Sequence, residues 1–271
     1  MNNQAITKAA ETIATARRSC VGLPSYPGET PANLADAYAV QSAAMSLWAE
    51  PVAGWKVGRI SGDQERVHGE NRFIGPIYSP SVWSIGLDDP AAFPVIRDGS
   101  AALEAELIAC IEVPDGDLQR EWTGACIPSI IRSWHIGIEV AGSPLANIGD
   151  LGPLVSIAAF GNNIGLLLGP ELRADTDIDS VNCTVSIAGK EHGPQSAGAL
   201  PGGPHEAVAF ALKKLRALGH RVPAGTLIST GAITGVHPVA PDQDCRALFS
   251  PGGNLQCRTQ ALATKEGQNP S

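Results

Sequence analysis

The chain has 271 residues, 44% of them hydrophobic and 17% charged, and a formal net charge of −8. That length can bury a large core, and the composition excludes a disordered chain. Lys and Arg are scattered under an acidic balance, which excludes a broad phosphate-binding surface, so no nucleic-acid partner is expected.

Six cysteines (Cys20, Cys110, Cys126, Cys183, Cys245 and Cys257) show no C-x-x-C spacing. They read as small, mostly buried residues of a reducing compartment. The first residues lack a basic and apolar leader, and no apolar run approaches the roughly 20 residues of a membrane span. A cytoplasmic protein without membrane contact is expected.

Residues 4 to 20 predict a first helix ending at the basic pair Arg17 and Arg18. Thr30-Pro31 predicts an N-cap and first turn for a second helix running to about Ala49. On it Leu34, Tyr38, Gln41, Met45 and Trp48 recur at helical spacing, so that face packs on the body. After Pro51, Val52 to Gly58 reads as a short strand. Its Lys56, between Trp55 and Val57, either snorkels to the surface or is held in a pocket. Arg59 to Gly75 is polar and loop-like, Ile77 to Trp83 suggests an edge strand or irregular crossing, and Gly86 to Pro94 reads as another loop.

Leu103 to Val113 alternates as a strand. Leu103, Ala105, Leu107, Ala109, Ile111 and Val113 share one face, and Glu104 and Glu106 lie side by side on the other. Two neighbouring carboxylates either face water or, if poorly hydrated, need a proton or a cation to neutralise them. Pro114 to Gly124 is a polar connection. Ser129 to Val140 becomes strand-like and carries Glu139 opposite Ile138 and Val140, with Gly142-Ser143-Pro144 as a stop. Leu151 to Leu168 is apolar, broken at Gly161-Asn162-Asn163, and reads as buried strands with a bend. Val181 to Ile187 alternates as a strand with one wet face. The glycine-rich run 198 to 203 lacks the ending of a nucleotide P-loop. Pro204 to Leu218 is a helix closed by Gly219, and four short strands follow at 226–230, 236–239, 246–249 and 255–260. The tail from Thr264 reads as disordered. The class is α+β.

Gly54-Trp55-Lys56-Val57-Gly58, Leu103-Glu104-Ala105-Glu106, Ile138-Glu139-Val140, Gly203-Pro204-His205-Glu206-Ala207 and the run Gly225 to Gly231 occur in an order that resembles a known group. It is the 2-keto-4-pentenoate hydratase and 2-oxo-3-hexenedioate decarboxylase group of the fumarylacetoacetate hydrolase superfamily. Ala35 to Gln41 is similar to that group too, and the resemblance spans roughly residues 30 to 262. It implies an N-terminal helical region with a first strand (1–80). A mixed, largely antiparallel β-roll or barrel-like catalytic domain (81–264) and the tail (265–271) would follow.

The resemblance further implies one Mg²⁺ or Mn²⁺ on Glu104, Glu106 and Glu139, with Lys56 as proton donor or acceptor. Hard carboxylate ligands suit such a cation. The implied activity is hydration of a small 2-hydroxy-2,4-dienoate or 2-oxo-enoate in aromatic-ring catabolism. The alternatives are decarboxylation of a 2-oxo-3-enedioate or a non-catalytic relative. A homo-oligomer is implied, and a pathway partner enzyme is compatible. Gln41, Ser143, Asn162 and Thr230 are candidates for orienting substrate or water, with turn or cap roles as the alternative. His68, His135 and His205 stand isolated. Where many relatives read Val-Asp-Ser-Arg after the third glutamate, this chain has Ala141-Gly142-Ser143-Pro144. It also lacks an acidic residue in Arg72-Phe73-Ile74-Gly75.

Overall fold

The computed structural model describes residues 1–114 and 119–263. The expected tail disorder, and residues 115–118 of the polar connection, lie outside them. The helices are α1 (Asn3–Ser19), α2 (Leu34–Ser46), α3 (Asp63–His68), α4 (Ile148–Leu151), α5 (Pro153–Ala158) and α6 (Gly203–Ala217). The strands begin with β1 (Val52–Arg59), β2 (Arg72–Tyr78), β3 (Val82–Ser84), β4 (Pro90–Val95), β5 (Ser100–Ile111) and β6 (Ile131–Ser143). They continue with β7 (Asn163–Glu171), β8 (Asn182–Ile187), β9 (Lys190–Ser196), β10 (Thr226–Ser229), β11 (His237–Pro238), β12 (Asp244–Ser250) and β13 (Gly253–Ala261).

Among the described residues the strands form two curled, mixed sheets. The larger runs β2-β1-β10-β5-β6-β7-β3, with β11 paired to the start of β5, and the smaller runs β4-β13-β12-β8-β9. Most pairings are antiparallel; β1 with β10, β3 with β7 and β4 with β13 are parallel. The α+β architecture expected from the sequence is the one observed.

β5 is buried on both faces. Leu103, Ala105, Leu107, Ala109 and Ile111 enter the main core with Phe93, Val185, Phe249 and Leu255 of the smaller sheet. The opposite row continues past the glutamates to Ile108, which packs with Ile77, Leu166 and Leu227. The sheet therefore has a dry apolar side and a side on which apolar packing gives way to carboxylates. α1, α2 and α5 form a second cluster around Tyr78, Leu145 and Phe160. Curling brings Gly75 of β2 against Gly161: a Cβ on either would lie 2.5 Å from the other's Cα, closer than a side chain tolerates.

Several local expectations are corrected. α2 starts after Asn33, whose side chain accepts from the Asp36 N–H, because Asn33 caps the turn and Thr30-Pro31 stays outside it. The stretch 59–75 holds α3 and the whole first half of β2, a strand buried along its length. Residues 90–95 form β4 at a sheet edge, where prolines are tolerated. The first half of the apolar run 151–168 is helical, in α5; strand β7 begins only at Asn163. A fully buried apolar run does not reveal its period, so helix and strand look alike in it.

Candidate functional site

The two glutamates of β5 do not face water: Glu106 and Glu139 are fully buried and Glu104 is 5% exposed. Register explains their meeting. In the antiparallel β5–β6 pair Glu104 lies directly opposite Glu139, so all three side chains leave the same face. One carboxylate oxygen from each of the three lies within 4.8 Å of the others. β10 lies between β5 and β1, and its parallel register with β1 puts Lys56 beside Ser229. Lys56 Nζ is 3.0 Å from Glu139 Oε1, 4.0 Å from Glu104 Oε2, and over the Phe73 ring. The lysine is held in a pocket and does not snorkel.

Each deep carboxylate has one oxygen held and one free. Glu106 Oε2 accepts from Ser229 Oγ and from the Gly231 N–H at 2.8 Å. Glu139 Oε1 accepts from Lys56 and, at 3.1 Å, from Asn163 Nδ2. Glu106 Oε1 and Glu139 Oε2 are buried and have no hydrogen-bond partner. Unpartnered buried carboxylate oxygens are costly. When ionised, three carboxylates and one ammonium leave two negative charges in a dry place. A divalent cation matches both the charge and the free oxygens, and an all-oxygen donor set suits a hard ion such as Mg²⁺ or Mn²⁺.

The titration behaviour of the bare site has the same origin. Burial pushes the Glu104 carboxyl up to about 7; Lys56 opposes the rise and Glu139 adds to it. Burial, then Glu139 and Glu104, drives Glu106 well above the usual carboxylate range. Burial alone would lower the Lys56 ammonium, but Glu104, Glu139 and Glu106 together hold it above the ordinary lysine range.

A cavity of about 680 Å³ opens over Lys56 and Glu104. Asn162, Thr230, Asp150 and Arg72 are among its walls. Of the weaker candidates, Asn162 and Thr230 therefore reach the cavity, although the Thr230 hydroxyl donates to the Leu107 carbonyl. Gln41 is spent on the carbonyls of Ile74 and Ile157, and Ser143 Oγ accepts from the Leu145 N–H. His68 contacts Gln64, His135 contacts Ser133 and the Gly169 carbonyl, and His205 meets Trp134 edge to face; none joins the carboxylates. Sequence reasoning missed Ser229, Asn163 and the Gly231 N–H. Ser229 had a signal in strand parity: Ile228 goes to the main core, so Leu227 and Ser229 face the glutamate side.

No protein-family model matches the sequence, and no curated protein matches it. Solved structures do. The fold is similar to 4-oxalocrotonate decarboxylase from Pseudomonas putida G7 in complex with magnesium and adipate, with a TM-score of 0.80 and 20% identity over 96% of this chain and 98% of that one. It is similar to fumarylpyruvate hydrolase from Pseudomonas aeruginosa in complex with Mn²⁺ and pyruvate (TM-score 0.57, 15% identity, 79% of this chain and 91% of that one). It also resembles 2-hydroxyhepta-2,4-diene-1,7-dioate isomerase from Mycobacterium marinum (TM-score 0.55, 16% identity, 79% and 77%). The fold is that of the fumarylacetoacetate hydrolase type, as the motifs implied. Among the described residues no helix is long and apolar enough to cross a membrane.

Proposed function

We propose that the chain is a metal-dependent lyase of the hydratase and decarboxylase group, acting on a small 2-oxo or 2-hydroxy-dienoate acid. One observation carries the reading. Glu104, Glu106 and Glu139 converge with two unpartnered oxygens, next to an ammonium, and Glu104 and Lys56 of this group line a cavity of substrate size. A divalent cation held by the three glutamates would supply Lewis-acid polarisation of a 2-oxo carbonyl and offset enolate charge.

The chain's own residues do the rest. Ser229, the Gly231 N–H and Asn163 fix the carboxylates, so the ligand set is arranged before substrate arrives. Lys56, kept as an ammonium by its neighbours, gives a proton to C5 of a 2-hydroxypenta-2,4-dienoate, and the amine it leaves takes up the 2-hydroxyl proton. The product is the 2-oxo-3-ene tautomer, and water adds at C4. Asn162, on the cavity wall, orients the acid. Gly152, Pro153 and Ser156, at the start and in the body of α5, form part of the cavity wall.

A second reading is decarboxylation of a 2-oxo-3-enedioate. Loss of the far carboxyl as carbon dioxide leaves its electron pair in the conjugated dienolate, which Lys56 protonates on the 2-oxygen. The fold similarity to a decarboxylase supports it. So does Lys56 as a donor: decarboxylation requires only an electron sink and a proton source. Purified protein is to be mixed with 2-hydroxypenta-2,4-dienoate or 2-oxohex-3-enedioate, with Mg²⁺ or with EDTA. The expected result is a metal-dependent ultraviolet change with one acid, which identifies the reaction. No change with either would end both readings.

A further inference from the structure

The smaller sheet carries a pair of reactive side chains that the metal site does not use. Cys245 of β12 and Cys257 of β13 are directly opposed in the antiparallel register. Both lie on the buried face of their strands, with Ala247, Phe249 and Leu255, and both belong to the main core. Among the described residues no other strand pairing sets cysteine against cysteine. Cys110 opposes Leu227 and Ser133, Cys183 opposes Phe249 and Gln195, and Cys20 and Cys126 lie outside the strands.

Register also fixes the separation. The Gln243 carbonyl accepts from the Thr259 N–H on the β13 side and the Asp244 carbonyl from the Ala188 N–H on the β8 side, so Cys245 turns its backbone groups to Cys257. Such a hydrogen-bonded pair has Cα atoms about 5.5 Å apart, inside the roughly 4.4 to 6.8 Å that a disulfide spans. Its Cβ atoms stand somewhat further apart than a relaxed disulfide prefers, which makes the bond easy to reduce again. The two thiols are also unequal. A hydrogen bond from Cys257 lowers the Cys245 thiol, against burial and Asp244, whereas that bond and then burial raise Cys257.

We propose that Cys245 and Cys257 are a reversible dithiol–disulfide couple that responds to hydroperoxides, with Cys245 as the attacking sulfur and Cys257 as the resolving one. The Cys245 thiolate attacks a peroxide oxygen: an S–O bond forms, the O–O bond breaks, and the departing hydroxide takes a proton and leaves as water. Sulfur is oxidised to a sulfenic acid as the peroxide is reduced. Cys257 then attacks the sulfenic sulfur: the S–S bond forms, the S–O bond breaks, and the hydroxyl leaves as water with the Cys257 proton. Small oxidants gain access from the end of the strand. Cys245 is the second residue of β12, and Asp244 and residues 240–242 before it are exposed, where strands fray first. The couple is independent of the lyase reading.

The test treats the reduced, full-length protein with hydrogen peroxide and maps its cysteines by mass spectrometry. The expected product has lost two hydrogens, carries one disulfide between Cys245 and Cys257, and returns to the dithiol in reduced glutathione. In Cys257→Ser, dimedone should trap Cys245 as the sulfenic acid at least about tenfold more than it traps Cys257 in Cys245→Ser. The wild-type map needs neither variant, so it decides the pairing even if both fail to fold. A disulfide joining any other pair, peroxide treatment that leaves both thiols free, or a bond that glutathione does not reopen overturns the couple. Trapping of Cys257 in preference to Cys245 overturns the assigned roles.

Discussion

Two buried cations in this molecule have opposite surroundings. Lys56 is ringed by three carboxylates; Arg17, on α1, lies over Trp48, Tyr78 and Phe160 with centroid distances of 5.1, 5.7 and 4.7 Å and donates to the Asn163 carbonyl. Burial lowers Arg17 to about 10, against weak opposition from Tyr78, Glu50 and Cys20, whereas Lys56 is held above its ordinary range despite burial. Burial alone therefore does not mark a chemical site. The aromatic cage disperses a charge that only has to stay put. The carboxylate ring stores negative charge that a metal and a proton carrier can use.

The sharpest way to break this comparison is to remove each cation in turn. Lys56→Met should lower turnover about 10²- to 10⁴-fold in the ultraviolet assay, while calorimetry still finds metal binding. Next in size, Glu106→Gln should weaken Mn²⁺ or Mg²⁺ binding by about a hundredfold, since it replaces an oxygen of the proposed ligand set and disturbs the Ser229 and Gly231 contacts. Arg17→Met should cost about 2 kcal/mol in chemical denaturation and change metal affinity only a few-fold. Turnover collapsing as it does in Lys56→Met would erase the distinction between the two cations.

A smaller effect concerns pH. In the metal-free protein Glu104 titrates near 7 in place of its ordinary 4.5. The folded state thus holds a proton that the unfolded chain has released. Metal-free stability should fall as pH rises from about 4.5 to about 7 as Glu104 ionises, and the raised Glu106 carboxyl acts in the same direction. Metal must displace those protons, so its affinity should rise over the same window. Melting curves at pH 5 and pH 8, with EDTA and with Mg²⁺, check both signs. Metal-free protein that is more stable at pH 8 would contradict the assignment.

The parts of the site legible in the sequence are those fixed by local period. Alternation placed Glu104 and Glu106 on one face of β5, and glycines bracketed the strand that carries Lys56. α6 and its closing Gly219 were equally plain. What was not legible depends on long-range register. Nothing near Glu139 in the chain says that it faces Glu104, and nothing near Asn163 says that its amide holds Glu139. Register likewise opposes Arg59 to Arg72, thirteen residues apart and separated by a helix in a stretch that reads as loop. The polar strand β9, exposed along most of its length, has no apolar alternation to announce it. The helix of α5 was hidden for the opposite reason, in a run too uniformly apolar to show a period.

The central claim is that Glu104, Glu106 and Glu139 hold one divalent cation, and anomalous diffraction from crystals soaked in Mn²⁺ tests it most directly. The account predicts a single strong peak among the three carboxylates, touching Glu106 Oε1 and Glu139 Oε2, and its loss in Glu106→Gln crystals. A site left empty at saturating Mn²⁺, with Lys56 still against Glu139, would contradict it.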